Sequence, residues 1–543
     1  MKRDALGWWA LAAGLAVACG GRSGLGSGAS DSSTGGVARA TGGSPPSATG
    51  GSNTATGGTS STTGGAPSAG GGSSNQNPGG APPSATGGSA ASTGGNSSLG
   101  GAGALTSAGT SSSTAGASAS SGGAPGGSGA AGSGGSDCII RVATTGSDSH
   151  GGSDWSRALR TVQGGLDAAS AMIDPGICSA VEVWVAAGTY QPTADADRNA
   201  TFQLVANVAL RGGFDGTESV RTDRDLAANV TILSGDIGVP DDASDNSYHV
   251  VTGVTGATLD GFTITGGNAN GSWHNGTSFG GGMKNSNSSP LVTHCTFTNN
   301  SASGHGGGMF NEYHSSPTVT DCAFTGNVGS GMGNSSSSPV VTNCTFTGNV
   351  ASSGGGMWNY GSSPTVTNCT FARNDATSGG GIYSMANDDP PLVAVTNCTF
   401  TGNSSVTGGA MYNQDSLPTL TNCILWGDAA RESDDEIHDA LADLPTTVSH
   451  SIIQGGYPLG TNVIDVDPLF VDDSSGDVRL QAGSPAIDAG NGCASHVALT
   501  DQAGNPRWDI ADVADAVDGL DVGAFEYQGT AEIDTLVSAF DCP

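Results

Sequence analysis

One phrase recurs through the middle of the chain: SSPLVTHCTFTNN (288–300), SSPTVTDCAFTGN (315–327), SSPVVTNCTFTGN (337–349), SSPTVTNCTFARN (362–374) and PPLVAVTNCTFTGN (390–403). A looser copy, SLPTLTNCILWGD, ends at Asp428. Each copy places one cysteine alike, at 295, 322, 344, 369, 398 and 423, so the period is 22 to 29 residues. Periods of this size mark solenoids, whose units bury their apolar faces only against one another. The contents are β-branched and polar residues, Gly and Pro, with no helical periodicity. Each unit therefore reads as a coil of short strands.

Alignment of the units yields columns. One runs Leu259, Val292, Val319, Val341, Val366, Val395, Leu420, Val448; a second runs Ile264, Phe297, Phe324, Phe346, Phe371, Phe400, Leu425, Ile453. A third is Met283, Met309, Met332, Met357, Ile382, Met411. Strand alternation puts these inside and the Ser, Thr and Asn between them in water. The step of three from Val to Cys breaks the period of two, which places a bend at Asn343, Asn368 and Asn397. Two Asn columns, Asn300 to Asn403 and Asn285 to Asn413, suit amide ladders between coils about 4.8 Å apart. The expected fold is all-β, a parallel β-helix.

The thiol column itself (Cys295, Cys322, Cys344, Cys369, Cys398, Cys423) opens with Phe262 and closes with Ser451. Neither end residue replaces a metal-binding thiolate or half a disulfide. The thiols therefore read as small apolar wall residues.

Outside the repeats the composition changes. Residues 20–136 are almost wholly Gly, Ser, Ala and Thr, with only Arg22, Asp31 and Arg39 charged, and form an expected flexible linker. Before it, Lys2 and Arg3 lead into ALGWWALAAGLAVA, an export signal too short to span a bilayer comfortably. AVAC, ending at Cys19, resembles the lipobox of bacterial lipoproteins. That resemblance implies lipidation of Cys19, and Gly20 after it implies sorting to an outer membrane. After the linker, SRALRTVQGGLDAASAMI puts Ala158, Leu159, Val162, Leu166 and Ala169 on one helical face, able to cap the first coil. Cys138 and Cys178 flank this cap and Cys493 and Cys542 flank the other end, as candidate disulfides of an exported protein. The domains then run 1–19 signal, 20–136 linker, 137–250 cap and first coils, 251–455 repeats, and 456–543 last coils and C-terminal cap.

FTNN, FTGN and FARN alternating with GGGM, GGGI and GGAM resemble the FxxN and GGA[ILV] repeats of polymorphic outer membrane proteins, over about residues 255–430. Those are surface-displayed right-handed β-helices, several of them adhesins. DWSRALRTVQGGLDAAS followed by VEVWVAAGTYQPT is similar to the N-terminal start of pectin-lyase-like β-helices. LQAGSPAIDAG with DVGAFEY looks like the C-terminal segment of choice-of-anchor-type surface proteins. The resemblance implies a right-handed helix displayed at the cell surface, held by Cys19 in place of a membrane β-barrel.

Chemistry on the coils is sparse. The formal charge of −32, from 48 acidic and 16 basic residues, leaves no basic patch for nucleic acid. Between Leu259 and Asp428 the only basic residues besides His are Lys284 and Arg373, several coils apart, so no lyase-type base and cation adjoin. The coil acids Glu312, Asp321, Asp375 and Asp415 do not pair on neighbouring coils as a glycoside hydrolase needs. No catalytic residue is assigned. His294 and Asp321 share a column and read as solvated turn residues standing in for Asn.

The column after each Met points outward: Phe310, Trp358, Tyr383 and Tyr412, with Tyr360 nearby. It reads as an exposed aromatic strip for a sugar or protein partner, with a self-stacked ladder or packing under a loop as the structural alternative. Asp236, Asp241, Asp242 and Asp245 offer closely spaced oxygens to calcium, or are plain solvated loop acids. The expected function is a monomeric, lipid-anchored or extracellular adhesin or carbohydrate-binding envelope protein. A polysaccharide lyase or hydrolase, and a passive envelope spacer, are the alternatives.

Overall fold

Three short strands make each coil; around Cys344 they are Val340–Thr342, Thr345–Thr347 and Met357–Tyr360. The computed structural model describes residues 138–387, 390–433, 436–440, 445–510, 520–528 and 533–536, all within the unit Ala119–Pro543. Pairing along the repeat is parallel and in register: Val292 lies between Leu259 and Val319, Phe297 between Ile264 and Phe324, Met309 between Met283 and Met332. The protein is an all-β, right-handed parallel β-helix, and Val162–Ile173 is the one α-helix among the described residues.

The bend between the first two strands has a single cause. Gly261, His294, Asp321, Asn343, Asn368, Asn397, Asn422 and His450 all adopt φ between 47° and 83°. Left-handed backbone is open to Gly and tolerated best by Asn, Asp and His, which explains the residue types in this column. One left-handed residue turns both the Val before it and the Cys after it inward. All six thiols are buried, and burial raises those of Cys322, Cys344 and Cys369 well above the ordinary range. They are neutral packing groups whose Sγ–H points at main-chain carbonyls, as in Cys344 to Thr342 O at 3.2 Å.

The interior is laid down as stacks. The rings of Phe297, Phe324, Phe346, Phe371 and Phe400 lie 4.7–4.9 Å apart and within 3–5° of parallel. Beside them runs an amide ladder. Oδ1 of Asn349 accepts from the backbone N and Nδ2 of Asn327, both at 3.0 Å; its own Nδ2 donates to Phe324 O and to Asn374 Oδ1, each at 2.9 Å. Buried amides left unpaired would cost about 1–3 kcal/mol each, so the ladder needs a terminus that accepts without having to donate. Asp428 provides it, taking both hydrogen bonds of Asn403 at 2.6 Å. A second ladder runs from Asn285 through Asn311 and Asn334 to Asn359.

The cap helix is shorter than its apolar pattern. Thr161 caps it by accepting from Gly164 N at 3.1 Å, so Ala158 and Leu159 fall before the helix; Leu159 bridges to Val142 as backbone. Val162, Leu166 and Ala169 are fully buried over the first coil. Gly165 permits this approach, since a Cβ there would stand 2.7 Å from Val142 Cγ2. Cys138 and Cys178 form a disulfide beside the cap. Cys493 is disulfide-bonded; Cys542 and Cys19 lie outside the described residues.

The C-terminal segment does more than close the last coil. Ile424 and Ile452, on the outer face of the helix, join Phe470, Val478, Leu480, Ala486, Ile487 and Val522 in a second apolar cluster. From there the chain lies along the outside of earlier coils, where Thr370 Oγ1 donates to Gln502 Oε1 (2.6 Å) and Ala524 N donates to Thr399 Oγ1 (3.0 Å).

The ladder terminus makes stability depend on pH. Burial pushes the Asp428 carboxyl up to about 7, only partly offset by hydrogen bonds from Glu436 and Asn403. The folded value sits above that of an unfolded Asp, about 4. Its contribution is therefore complete below about pH 4 and is lost as pH rises through about 7. Asp428→Asn removes this titration, so its urea midpoint relative to the native one should rise steadily from pH 4 to 8, whatever the offset at pH 4 from burying the amide's donors. A constant margin would contradict the assignment.

Candidate functional site

The outward aromatic column is not an open strip. Phe310 and Trp358 are only 3% and 8% exposed. Phe279 stacks on Phe310 at 4.7 Å, and His305 stacks on Trp358 at 3.9 Å. The intervening coil makes room for this cover: position 333 is Gly, where a Cβ would stand 2.8 Å from the Phe310 ring and 3.2 Å from His305 Cβ. Tyr383 and Tyr412 are partly exposed but stack on each other at 5.2 Å and 7°, and Tyr412 stacks on His438 at 5.0 Å. Stacking from coil to coil turns the faces of Tyr383, Tyr412 and His438 toward one another, so solvent meets ring edges there, which offer no platform to a sugar. Tyr360 spends its hydroxyl on Asn387 Oδ1 at 3.1 Å. The structural alternative, a self-stacked and loop-covered ladder, is the one observed.

The acidic loop is likewise occupied with itself. Asp236 accepts from Asp241 N (3.2 Å), Asp242 from Ser244 N (2.9 Å) and Asp245 from Val239 N (2.8 Å). Among the described residues no group of three or more His, Cys, Asp or Glu side chains is placed to hold a metal ion. Three of the four carboxylates, those of Asp236, Asp242 and Asp245, thus shape the turn by accepting from its own backbone.

The structure instead draws attention to the bend column. Its residues are left-handed and therefore face outward. His294 and Asp321 have side chains 46% and 42% exposed, whereas Asn368, Asn397 and Asn422 are fully buried by the C-terminal segment and their neighbours. At the boundary lies a shallow depression of about 450 Å³, wide open to solvent and lined by His294, Asp321 and Asn343, by Thr296 and Thr345 on the strand behind, and by Gln502 and Phe525 of the C-terminal segment. Gln502 is fixed: besides Thr370 it binds Cys344 O through Nε2 at 3.1 Å. Asn343 Nδ2 donates to Asp321 Oδ1 at 3.1 Å.

His294 is also fixed, from behind. Its Nδ1 lies 3.1 Å from Asp260 Oδ1 and 3.0 Å from Thr293 Oγ1; its Nε2 faces Asp321 Oδ2 at 4.0 Å. Asp260 is buried and held by Arg224 through both oxygens at 2.9 and 2.8 Å, with Arg211 as a further partner. Burial alone would raise the Asp260 carboxyl; hydrogen bonds from His294 and Arg224, with the charges of Arg224 and Arg211, overcome it and hold the group down at about 2. The same hydrogen bond to Asp260 raises His294 above the ordinary histidine value, against partial burial. Arg211 extends the network to Glu182 at 3.3 Å, and with Glu182 it lines a second cavity of about 500 Å³ on the same outer face.

His294 and Asp321 share a column and are half-exposed turn residues, as expected from the sequence; Arg211, Arg224 and Asp260 are not among the expected site residues, the two arginines lying before the repeats. The register pairs Arg211 with Asp260, so VALRGGF aligned on ATLDGFT would have found the first pair. Arg224 comes from an irregular loop with no such signal.

Residues 250–425 match the family model described as "Right handed beta helix region". No curated protein matches the chain. Among solved structures it is similar to pectate lyase Pel9A, at 16% identity and TM-score 0.35, over 72% of this chain and 96% of that one. It is also similar to pectin methylesterase PemA from Erwinia chrysanthemi, at 12% identity and TM-score 0.22, over 58% of this chain and 78% of that one. At these scores neither likeness bears on function, and the fold rests on the strand register and the family match.

The cover over Trp358 is expected to be acid-sensitive. Burial lowers His305 to about 4, so the stability present above about pH 6.5 is lost as pH falls through about 4. The emission difference between the native protein and Trp358→Phe should shift to the red between pH 6 and 4, ahead of global unfolding. An unshifted difference would show that His305 does not hold the cover.

Proposed function

We propose that this chain is a surface-displayed β-helix that binds a neutral carbohydrate in the cavity between its bend column and its C-terminal segment. One observation carries the reading. A single cavity of about 450 Å³ gathers an aromatic ring (Phe525), two side-chain amides (Gln502 and Asn343), a carboxylate (Asp321) and an imidazole (His294). Small-ligand sites have this size and this mixture of an apolar wall with a few fixed polar groups. Amides and carboxylates together accept and donate as sugar hydroxyls require, and a sugar's C–H face packs on an aromatic wall. The net charge of −32 disfavours a polyanionic ligand.

Binding is favoured over cleavage. His294 Nε2 and Asp321 Oδ2 stand 4.0 Å apart, closer than the roughly 5 Å at least that separates the two groups of a glycoside hydrolase. Asp260 is engaged by two arginines and offers no second carboxylate. The native chain is expected to retain a neutral polysaccharide or a glycan-array component. Phe525→Ala and Asp321→Asn should each weaken that binding about tenfold, or ~1.4 kcal/mol. Tyr383→Ala should leave the affinity unchanged. Binding lost in Tyr383→Ala and kept in the cavity variants would return the site to the aromatic column.

Display at the surface is supported by the basic start, the apolar run and AVAC at Cys19. A single lipid anchor with a long polar linker would hold the helix away from the membrane. In a Gram-negative host the chain should fractionate with outer membranes and incorporate labelled fatty acid. Cys19→Ala should abolish the label; a label retained in that variant would refute lipidation at this position.

A further inference from the structure

We infer that the cavity receives the terminus of a glycan, one or two sugar residues at the chain's end, and excludes the middle of a polymer. The inference rests on the carbohydrate reading above and adds which part of the ligand is recognised.

The floor of the cavity is short. Its outward side chains come from three successive coils, at His294, Asp321 and Asn343. Coils stack about 4.8 Å apart, so the floor runs roughly 10 Å along the helix axis. Both ends of this run are blocked. Past Asn343 the next residue of the column is Asn368, whose Nδ2 donates to Thr500 O at 2.7 Å and whose Oδ1 accepts from Arg507 Nη2 at 3.1 Å. Arg507 is itself buried and paired with Glu526 at 2.8 Å, so the wall behind Gln502 is anchored inside the protein. One coil further on, Thr396 donates to Ser495 O at 3.3 Å, and at the coil after that Asn422 exchanges hydrogen bonds with Asn491 at 3.1 and 2.8 Å.

Before His294 the column holds Gly261, and the loop carrying Arg224 and Leu226 lies across it. A Cβ on Gly261 would stand 2.5 Å from Leu226 Cδ2 and 3.5 Å from Arg224 Nη1. That loop is pinned by the two hydrogen bonds from Arg224 to the buried Asp260. A polymer lying along the column would collide with Leu226 on one side and with Gln502 and Phe525 on the other. A chain end entering from solvent meets neither obstacle and reaches the whole polar floor.

The test uses the full chain and an array of neutral linear oligosaccharides, each printed twice, once through its reducing end and once through its non-reducing end. Every oligosaccharide that binds is expected to bind at least tenfold better in one orientation, because only one terminus is then free. Equal binding in both orientations overturns the inference while leaving the carbohydrate reading intact. No binding in either orientation, together with no retention of the polysaccharides themselves, overturns both.

Discussion

In-register stacking at the strand spacing is the constraint on which everything else depends. Once coils lie about 4.8 Å apart, most inward residues have a like residue above and below. A side chain that interacts well with its own kind is rewarded at each step, and one that repels its own kind is excluded. Phe does the first through near-parallel rings and Asn through an amide that both donates and accepts. Cys does it as a small buried neutral thiol that points to a carbonyl and leaves its neighbours alone. Charged side chains cannot form such ladders, and the one inward carboxylate on the Asn ladder, Asp428, stands where the ladder stops.

The same geometry couples the fold to the site. A strand alternates its side chains in and out, and one left-handed residue is needed to bring Val and Cys to the same interior. That residue must be Gly, Asn, Asp or His for conformational reasons, and it must face outward for topological ones. Backbone necessity therefore lines one outer edge of the helix with amides, carboxylates and imidazoles. Asn368 and Asn422 use these groups to dock the C-terminal segment, whereas His294, Asp321 and Asn343 are left to line the cavity.

What was legible in the sequence follows from this. The buried columns, the bend at Asn343, Asn368 and Asn397 and the two Asn ladders all repeat, so a single chain contains several readings of each. The aromatic column repeats too, yet its exposure was misjudged. Alternation correctly turned Trp358 outward, but it carries no information about His305 filling the space above Gly333. Nor does a column of aromatic letters reveal that stacked rings present edges. The cavity was illegible for a related reason. Arg224 and Gln502 reach Asp260 and Cys344, beside the bend column, from 36 and 158 residues away along the chain, and Phe525 comes from further still, through contacts that occur once.

Periodicity and function are thus complementary in this molecule. Within a solenoid any residue that obeys its column is explained by the column, and the informative positions are those that depart from it. Asn is the commonest residue of the bend, yet two adjacent coils carry His294 and Asp321 instead, and the coil before them carries Gly261, over which Leu226 closes. A structural bend needs none of these exchanges, since Asn fits it equally well at Asn343. Behind His294 the regular Thr of the outer strand gives way to Asp260, whose charge is balanced by two arginines from earlier coils. Four departures on three consecutive coils, with Asp260 at one ring nitrogen of His294 and Asp321 facing the other, are more than turn geometry requires. They mark the stretch where the helix departs from its repeat, and where the proposed site lies.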